Sequence, residues 1–156
     1  RKLYKIKMPN MEPGVASMDF ITGKAIADTI LSVASSIFTH KGKTQEVHAN
    51  RRNQVAEYFL NISRTINQAA DEIEQFGRPS GCCESLRIFA ERLPDTIKDF
   101  VPVEEAYEYG DRLMAAYSLE HVADNSTREE RDMIISELRG ASGIFLALGY
   151  DIKARR

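Results

Sequence analysis

The most regular pattern of apolar and polar positions lies in the middle of the chain. Apolar side chains recur there at alternating spacings of four and three residues, while the positions between them are mostly polar or charged. This repeat predicts a long amphipathic helix over residues 45–76, because it places every apolar side chain on one face. The face consists of Val55, Phe59, Ile62, Ile66, Ala69, Ile73 and Phe76.

Two further helices are predicted on either side of this one. The first covers residues 17–39, with Ser17 as its N-cap and an apolar face roughly 160° wide, which is enough to contact two neighbouring helices. The other begins after Gly81 and reaches Phe100. We expect a kink or a short break at Pro94, because proline lacks an amide hydrogen and its ring clashes with the preceding turn.

The C-terminal part of the chain predicts two more helices. One begins at Pro102 and closes at Asn125, and the other opens with a capping box at residues 126–129 and ends at Gly149 as its C-cap. Nothing in the pattern predicts a pair of strands. The expected fold is therefore all-α, an up-and-down bundle of four to five helices over residues 17–150.

The two ends of the chain lack a helical period. Residues 1–16 alternate apolar side chains with lysines over part of their length and contain two prolines, so we expect an extended N-terminal tail or linker. Residues 151–156 are predicted to form a short basic C-terminal tail.

Composition and charge narrow the range of functions. The 156 residues fit one globular domain, with 43% hydrophobic and 28% charged residues. A net charge of −2 gives the chain no general attraction to nucleic acid or to an anionic membrane. The charge is uneven, since residues 1–52 carry nine Lys or Arg against four Asp or Glu, and residues 53–124 carry six against fourteen. Such a division can orient a partner or a second copy, although two solvated faces would give the same pattern.

Motifs for catalysis or metal binding are not apparent. None of the three histidines follows a glutamate by three residues, as in metal-binding bundles, and no Cys-x-x-Cys or His-x-x-x-His pattern occurs. The serines lack a Gly-x-Ser-x-Gly turn, and the glycines form no phosphate-binding loop. We therefore expect no cofactor, no metal and no enzymatic activity.

The two cysteines, Cys82 and Cys83, are adjacent in the sequence. Neighbouring residues rarely reach disulfide geometry, so we expect free thiols and a reducing compartment, the cytoplasm. Both fall in the first turn of a predicted helix, where the helix dipole can lower the pKa of a thiol. A reactive thiol therefore stays open as an alternative to packed, unreactive cysteines, which we favour.

A basic patch is predicted around the turn between the first two helices. It consists of Lys41, Lys43, Arg51 and Arg52, with two histidines nearby. These side chains could contact phosphates. The patch lacks interleaved aromatic side chains, however, and the chain as a whole is acidic, so nucleic-acid binding is not expected.

Two of the predicted helices carry surfaces that are unusually poor in charge. The back of the first helix is rich in hydroxyl side chains that another subunit could cover, and residues 140–150 of the last helix contain no charge at all. A helix that is apolar all round is either central in its bundle or covered by a partner. The candidate partner-binding residues are Thr29, Ser32, Ser36, Ile135, Ile144 and Leu146.

These observations favour a non-enzymatic helical module for protein–protein interaction or oligomerisation, with another protein or a second copy (a homodimer) as its partner. It could be the regulatory domain of a longer protein. One alternative is a membrane-associating bundle that exposes the first helix, although Lys24 and Asp28 make that helix a poor transmembrane span. The other alternative is a small-molecule site or small enzyme in an inter-helical pocket near Pro94, Tyr107 and Tyr117.

Overall fold

The computed structural model describes residues 22–122 and 126–154 of the chain. These ranges contain α-helices and two 3-10 helices but no strand, which confirms the predicted all-α fold. The predicted N-terminal segment 1–16 and the predicted N-cap Ser17 lie outside the described residues. The α-helices are α1 (Gly23–Phe38), α2 (Ala49–Phe76), α3 (Cys82–Ile97), α4 (Val103–Leu113), α5 (Leu119–Val122) and α6 (Arg128–Ala154); the 3-10 helices are Lys41–Glu46 and Met114–Ser118.

Helix α2 follows the predicted seam of apolar side chains. The seam residues from Val55 to Ile73 are buried, whereas the last one, Phe76, is 71% exposed. The helix begins at Ala49, later than predicted, because the preceding residues form a 3-10 helix and the His48 ring accepts the capping hydrogen bond. It ends at Gly77, whose φ of 87° is the left-handed conformation that favours glycine.

Helix α1 also begins later than the sequence predicted. Thr22 has an extended backbone, with φ −79° and ψ 159°, and its hydroxyl accepts a hydrogen bond from the Ala25 amide at 3.0 Å. This arrangement is an N-cap, so α1 starts at Gly23. The predicted apolar face is confirmed, and its buried members are Gly23, Ile26, Ala27, Ile30, Val33, Ala34 and Ile37.

Helix α3 continues through Pro94 to Ile97, so of the kink or short break predicted there, the break does not occur. Because Pro94 has no amide hydrogen, the carbonyl of Ala90 lacks its usual intrahelical donor. Helix α4 packs at this point, since a Cβ atom built on Gly110 would lie 3.0 Å from Pro94 Cγ and 3.1 Å from the Ala90 oxygen. Gly110 therefore lets α4 lie directly against the proline turn of α3.

The helix predicted to run from Pro102 to Asn125 is interrupted in the structure. Pro102 is the N-cap of α4, as its position suggested, but α4 ends at Leu113. The 3-10 helix Met114–Ser118 follows, and the short α5 comes after it. The predicted single helix is therefore wrong in its second half, and Asn125 lies outside the described residues.

Helix α6 starts with a capping box one residue further along than predicted. The Thr127 amide donates to Glu130 Oε1 at 2.8 Å, and the Glu130 amide donates to the Thr127 hydroxyl at 3.1 Å. The helix then continues past Gly149 to Ala154, so Gly149 is not a C-cap and residues 151–154 are helical.

The five longer α-helices pack as a ring in the order α1, α6, α2, α3, α4. Helix α6 runs antiparallel to α2, because Lys153 Nζ donates to Glu57 at 2.7 Å while Arg139 Nη1 donates to Asn67 at 2.7 Å, further towards the other end of both helices. Helix α3 is also antiparallel to α2, because Arg51 Nη2 donates to the Thr96 carbonyl at 3.3 Å while the Tyr58 hydroxyl donates to the Phe89 carbonyl, as an up-and-down bundle requires.

Helices α1 and α6 are parallel neighbours. A Cβ atom built on Gly23 would lie 2.5 Å from Ile134 Cδ1, and one built on Gly140 would lie 3.5 Å from Leu31 Cδ1, so residue numbers rise together along the pair. An odd number of helices that alternate in direction cannot close a ring without one parallel pair. Helix α6 therefore fills the position between the first and second helices of the bundle.

Aromatic rings occupy the centre of the bundle, and a pair of serines joins two of its helices. Phe59 and Phe145 stack with their ring centroids 5.8 Å apart, and Phe100 lies edge-on to Phe59. In the α2–α6 contact, the Ser63 and Ser142 hydroxyls each donate to the other residue's carbonyl, at 2.7 and 2.9 Å. Both serines are buried, and the mutual bonds satisfy them.

Candidate functional site: the outer face of helix α6

The side of α6 that points away from the bundle carries exposed, uncharged residues at spacings of three and four. Solvent-facing helix surfaces normally carry charged and polar side chains. Three large side chains are exposed here instead, namely Met133 at 42%, Leu146 at 40% and Tyr150 at 59%. We call this surface the outer face of α6; it consists of Met133, Ser136, Gly140, Gly143, Leu146, Ala147, Tyr150 and Ala154.

Within residues 22–122 and 126–154, no contact explains two glycines of the outer face. A glycine inside a helix costs about 1 kcal/mol of stability relative to alanine, so it normally has a packing reason. A Cβ atom on Gly143 would meet no atom within 4 Å, and one on Gly140 would make only an ordinary contact of 3.5 Å with Leu31. Gly149 on the inner side differs, because a Cβ atom there would lie 2.7 Å from Leu60 Cδ2. The missing side chain at Gly143 therefore leaves room on the outside of the molecule.

The outer face has opposite charges at its two ends. Glu129 and Asp132 are exposed at its N-terminal end, where Arg128 is exposed as well. Lys153 is exposed at the C-terminal end, and residues 155–156 that follow it in the sequence are both arginine. The surface is thus a strip of uncharged residues with an acidic pair at one end and Lys153 at the other. Arg139 borders this strip, and its guanidinium turns to α2, where it pairs with Asp71 and Glu74.

The structure changes which residues of α6 are candidates for partner binding. Leu146 is exposed, as the sequence prediction required. Ile135 and Ile144 are half-buried and pack against the hydrophobic core, so they do not point freely outward. Sequence reasoning missed Gly143 and Tyr150, although the run of uncharged positions at helical spacing was visible.

The hydroxyl face of α1 is covered in part by α4 of the same chain. Arg112 Nη2 donates to the Ser32 hydroxyl at 2.7 Å, and Ser36 lies against the Tyr109 hydroxyl. The Thr29 hydroxyl donates to the Ala25 carbonyl one turn earlier, at 2.9 Å. Ser32 and Ser36 therefore contact this chain where we expected another, and the α1 back face is not an open docking surface.

A small charged cluster joins α1 to α6 beside the outer face. Lys24 Nζ lies 2.9 Å from Asp28 Oδ2 and 3.8 Å from Glu137 Oε2. Burial and the neighbouring Asp28 carboxylate raise the pKa of Glu137 to about 7. Hydrogen bonds from Glu137 and Lys24 lower the pKa of Asp28. Below about pH 7, Glu137 therefore keeps its proton while Asp28 is ionised.

The predicted basic patch is not a free row of cations. Arg51 pairs with Asp99 and donates to the Thr96 carbonyl at 3.3 Å, so it caps the C-terminal end of α3. Lys41 Nζ lies 4.4 Å from the centre of the Phe38 ring, a cation–π distance. Two further members remain at the surface: Lys43 is exposed and Arg52 is half-buried.

Both cysteines are free and buried, as the favoured interpretation of the sequence required. Cys82 Sγ donates to Glu72 Oε1 at 3.4 Å. The pKa of the Cys82 thiol is raised well above its usual range by its hydrogen bond with Cys83, by burial and by the Glu72 carboxylate. A raised thiol pKa leaves little thiolate, which is the reactive form.

A groove in the described part of the chain lies between α2 and α3, and Asp95 and Thr96, next to Pro94, are among its walls. Its volume is about 610 Å³, and its walls include Tyr58, Phe89 and Arg92. The Tyr58 hydroxyl donates to the Phe89 carbonyl at 2.5 Å. Tyr107 and Tyr117, which we expected near a pocket, are exposed and do not line this groove.

Within residues 22–122 and 126–154, no three His, Cys, Asp or Glu side chains come together as a group that could hold a metal ion. No helix in these ranges combines the length and the apolar character needed to cross a membrane. The chain matches no protein-family model, no curated protein and no solved structure.

Proposed function

We propose that the chain is a non-enzymatic helical module for protein–protein interaction, and that the outer face of α6 is its docking surface. The observation that carries this proposal is Gly143, a glycine in the middle of an exposed helix face, where an added Cβ atom would meet no atom of the described residues within 4 Å. Such a glycine lowers the stability of the isolated chain, and close approach by another backbone accounts for it.

The surroundings of Gly143 supply the energy and the specificity that docking needs. Met133, Leu146 and Tyr150 offer exposed apolar area, whose burial contributes about 25 cal/mol per Å² before the costs of association. The charges at the two ends of the face favour one orientation of a bound partner. The buried, free Cys82 and Cys83 suit a reducing compartment such as the cytoplasm.

Substitutions on the outer face provide the test. Gly143→Arg places a long charged side chain on the face, and Ser85→Arg places the same side chain on an exposed position of α3 as a matched control. Proteins captured by the immobilised wild-type chain are purified. The Kd of each purified protein is then measured for the wild-type chain, Gly143→Arg and Ser85→Arg. The wild-type chain is also tested as a ligand of each.

We expect Gly143→Arg to raise the Kd at least about tenfold and Ser85→Arg to leave it unchanged, as for a central interface position. Circular dichroism checks that both variants are helical. If every ligand of the wild-type chain binds folded Gly143→Arg with an unchanged Kd, the outer face is not the docking surface and the proposal fails.

A further inference from the structure

We propose that the partner is a second copy of this chain, docked antiparallel through the outer face of α6 about a two-fold axis at Gly143. This inference rests on the proposed function and names its partner. A two-fold axis makes one surface serve both copies, so each residue lies opposite the residue that is equally far from Gly143 in the other direction.

The sizes of the side chains fit this symmetry. Tyr150 and Ser136 are each seven residues from Gly143, so the large Tyr150 of one copy faces the small Ser136 of the other. Leu146 and Gly140 are each three residues from Gly143 and face each other in the same way. This is the knob-and-hole relation of packed helices. A parallel pair would set Tyr150 against Tyr150 and leave a gap between two Gly140 residues.

The charges select the same orientation. Asp132 lies eleven residues before Gly143 and Lys153 ten residues after it, which is about 15 Å along the helix axis in each direction. Antiparallel docking therefore brings Glu129 and Asp132 of each copy near Lys153 of the other, a lysine that also pairs with Glu57 of its own chain. Parallel docking would place the carboxylates of the two copies side by side, which is repulsive.

The two-fold axis also accounts for the glycine. The two α6 helices are closest where the two-fold axis passes between them. A side chain at this position would clash with the same side chain of the second copy. Gly143 removes that side chain, and Gly140 and Ala147 keep the neighbouring turns small. The backbones can then approach closely enough for Leu146 and Tyr150 to reach the opposite helix.

Sedimentation equilibrium from low-micromolar to submillimolar protein tests the self-association. We expect the wild-type chain to approach twice its monomer mass of 17.6 kDa. Gly143→Ala should raise the dimer Kd about tenfold or more, and Leu146→Asp should abolish the dimer, while Ser85→Ala on α3 should leave it unchanged. A dimer with the same Kd in folded Gly143→Ala and Leu146→Asp would overturn the proposal.

Disulfide trapping tests the orientation. A mixture of Ser136→Cys and Tyr150→Cys chains should form a mixed disulfide dimer under mild oxidation, because these positions face each other across the axis. Ser136→Cys alone should cross-link poorly, since position 136 of the second copy lies at the opposite end of the interface. Efficient self-cross-linking of Ser136→Cys, without the mixed product, would indicate a parallel pair and overturn the inference.

Failure of this inference differs from failure of the proposed function. A wild-type chain that stays monomeric at submillimolar concentration overturns the second copy as partner. The docking surface would still stand if Gly143→Arg, and not Ser85→Arg, lost binding to a different purified protein. Both proposals fail together if Gly143→Arg retains every interaction of the wild-type chain.

Discussion

Alanine substitutions at Gly143 and Gly149, made one at a time, should change stability in opposite directions, although the two glycines lie in the same helix. Gly143 is on the outer face, where an added Cβ atom has open space. Gly149 is on the inner face, where the same atom would lie 2.7 Å from Leu60 Cδ2 and 3.1 Å from the Ala56 carbonyl oxygen of α2. The pair therefore separates helix propensity from packing.

The magnitudes follow from these distances. Both substitutions gain about 1 kcal/mol of helix propensity. At Gly149 the added atom overpacks the α2–α6 contact, which costs about 1–3 kcal/mol because the Ala56 carbonyl belongs to a helix backbone and cannot turn away. We expect Gly143→Ala to be about 1 kcal/mol more stable than the wild-type chain, and Gly149→Ala to be up to about 2 kcal/mol less stable.

Urea denaturation followed by circular dichroism measures both free energies of unfolding. The protein is kept at low-micromolar concentration, so that the proposed self-association does not contribute. Ser85→Ala, an exposed substitution in α3, serves as the control and should change stability by less than about 0.5 kcal/mol. Equal stabilisation by Gly143→Ala and Gly149→Ala would refute the close α2–α6 packing at Gly149.

Three further experiments test other parts of the molecule. Because the pKa of Glu137 is about 7 in the folded chain against an ordinary 4.5, the free energy of unfolding should fall by about 1–2 kcal/mol as pH rises through this window. Glu137→Gln should remove that fall. If the stability of the wild-type chain and of Glu137→Gln changed with pH in the same way, the raised pKa of Glu137 would be contradicted. A chromogenic thiol reagent should label Cys82 and Cys83 only as fast as the chain unfolds, since both are buried; immediate labelling would show an accessible thiol. Phe145→Ala should cost about 3–5 kcal/mol in urea denaturation and the exposed Tyr150→Ala less than about 0.5 kcal/mol, and equal losses would contradict the described core.

The sequence predicted the elements that depend on a local period. The buried seam of α2 and the apolar face of α1 follow directly from the spacing of their side chains, and both are confirmed. The stripe of α6 from Ile134 to Leu148 is also buried as its spacing indicated. These predictions were correct because the spacing of apolar residues along the local sequence determines which face of a helix is buried.

The failures arose where distant residues override a local rule. Gly149 has the position of a C-cap in the sequence, but contact with Leu60 gives the glycine a packing role and the helix continues. Pro94 resembles a helix stop, yet α3 continues through it with Gly110 of α4 packed against the proline. Neither contact can be inferred from residues nearby in the sequence.

The candidate surface was predicted only in part for a related reason. Residues 140–150 were correctly identified as uncharged, but Ile135 and Ile144 were taken to point outward. Helix α6 has neighbours on two sides, α1 and α2, so it buries its flanks as well as its central stripe. The remaining outer face is narrow, and its position depends on knowing that α6 lies between these two helices.

The place of α6 in the ring also has a consequence for synthesis. Of the described helices, α6 is made last, yet it supplies Phe145 to the aromatic centre and covers apolar surface of both α1 and α2. Its contacts span long stretches of chain, 79 residues from Ser63 to Ser142 and 96 from Glu57 to Lys153. Contacts this remote in sequence form slowly, and only after α6 has emerged from the ribosome. The nascent chain therefore exposes the apolar faces of α1 and α2 until α6 emerges, and chaperone protection should matter most in that interval.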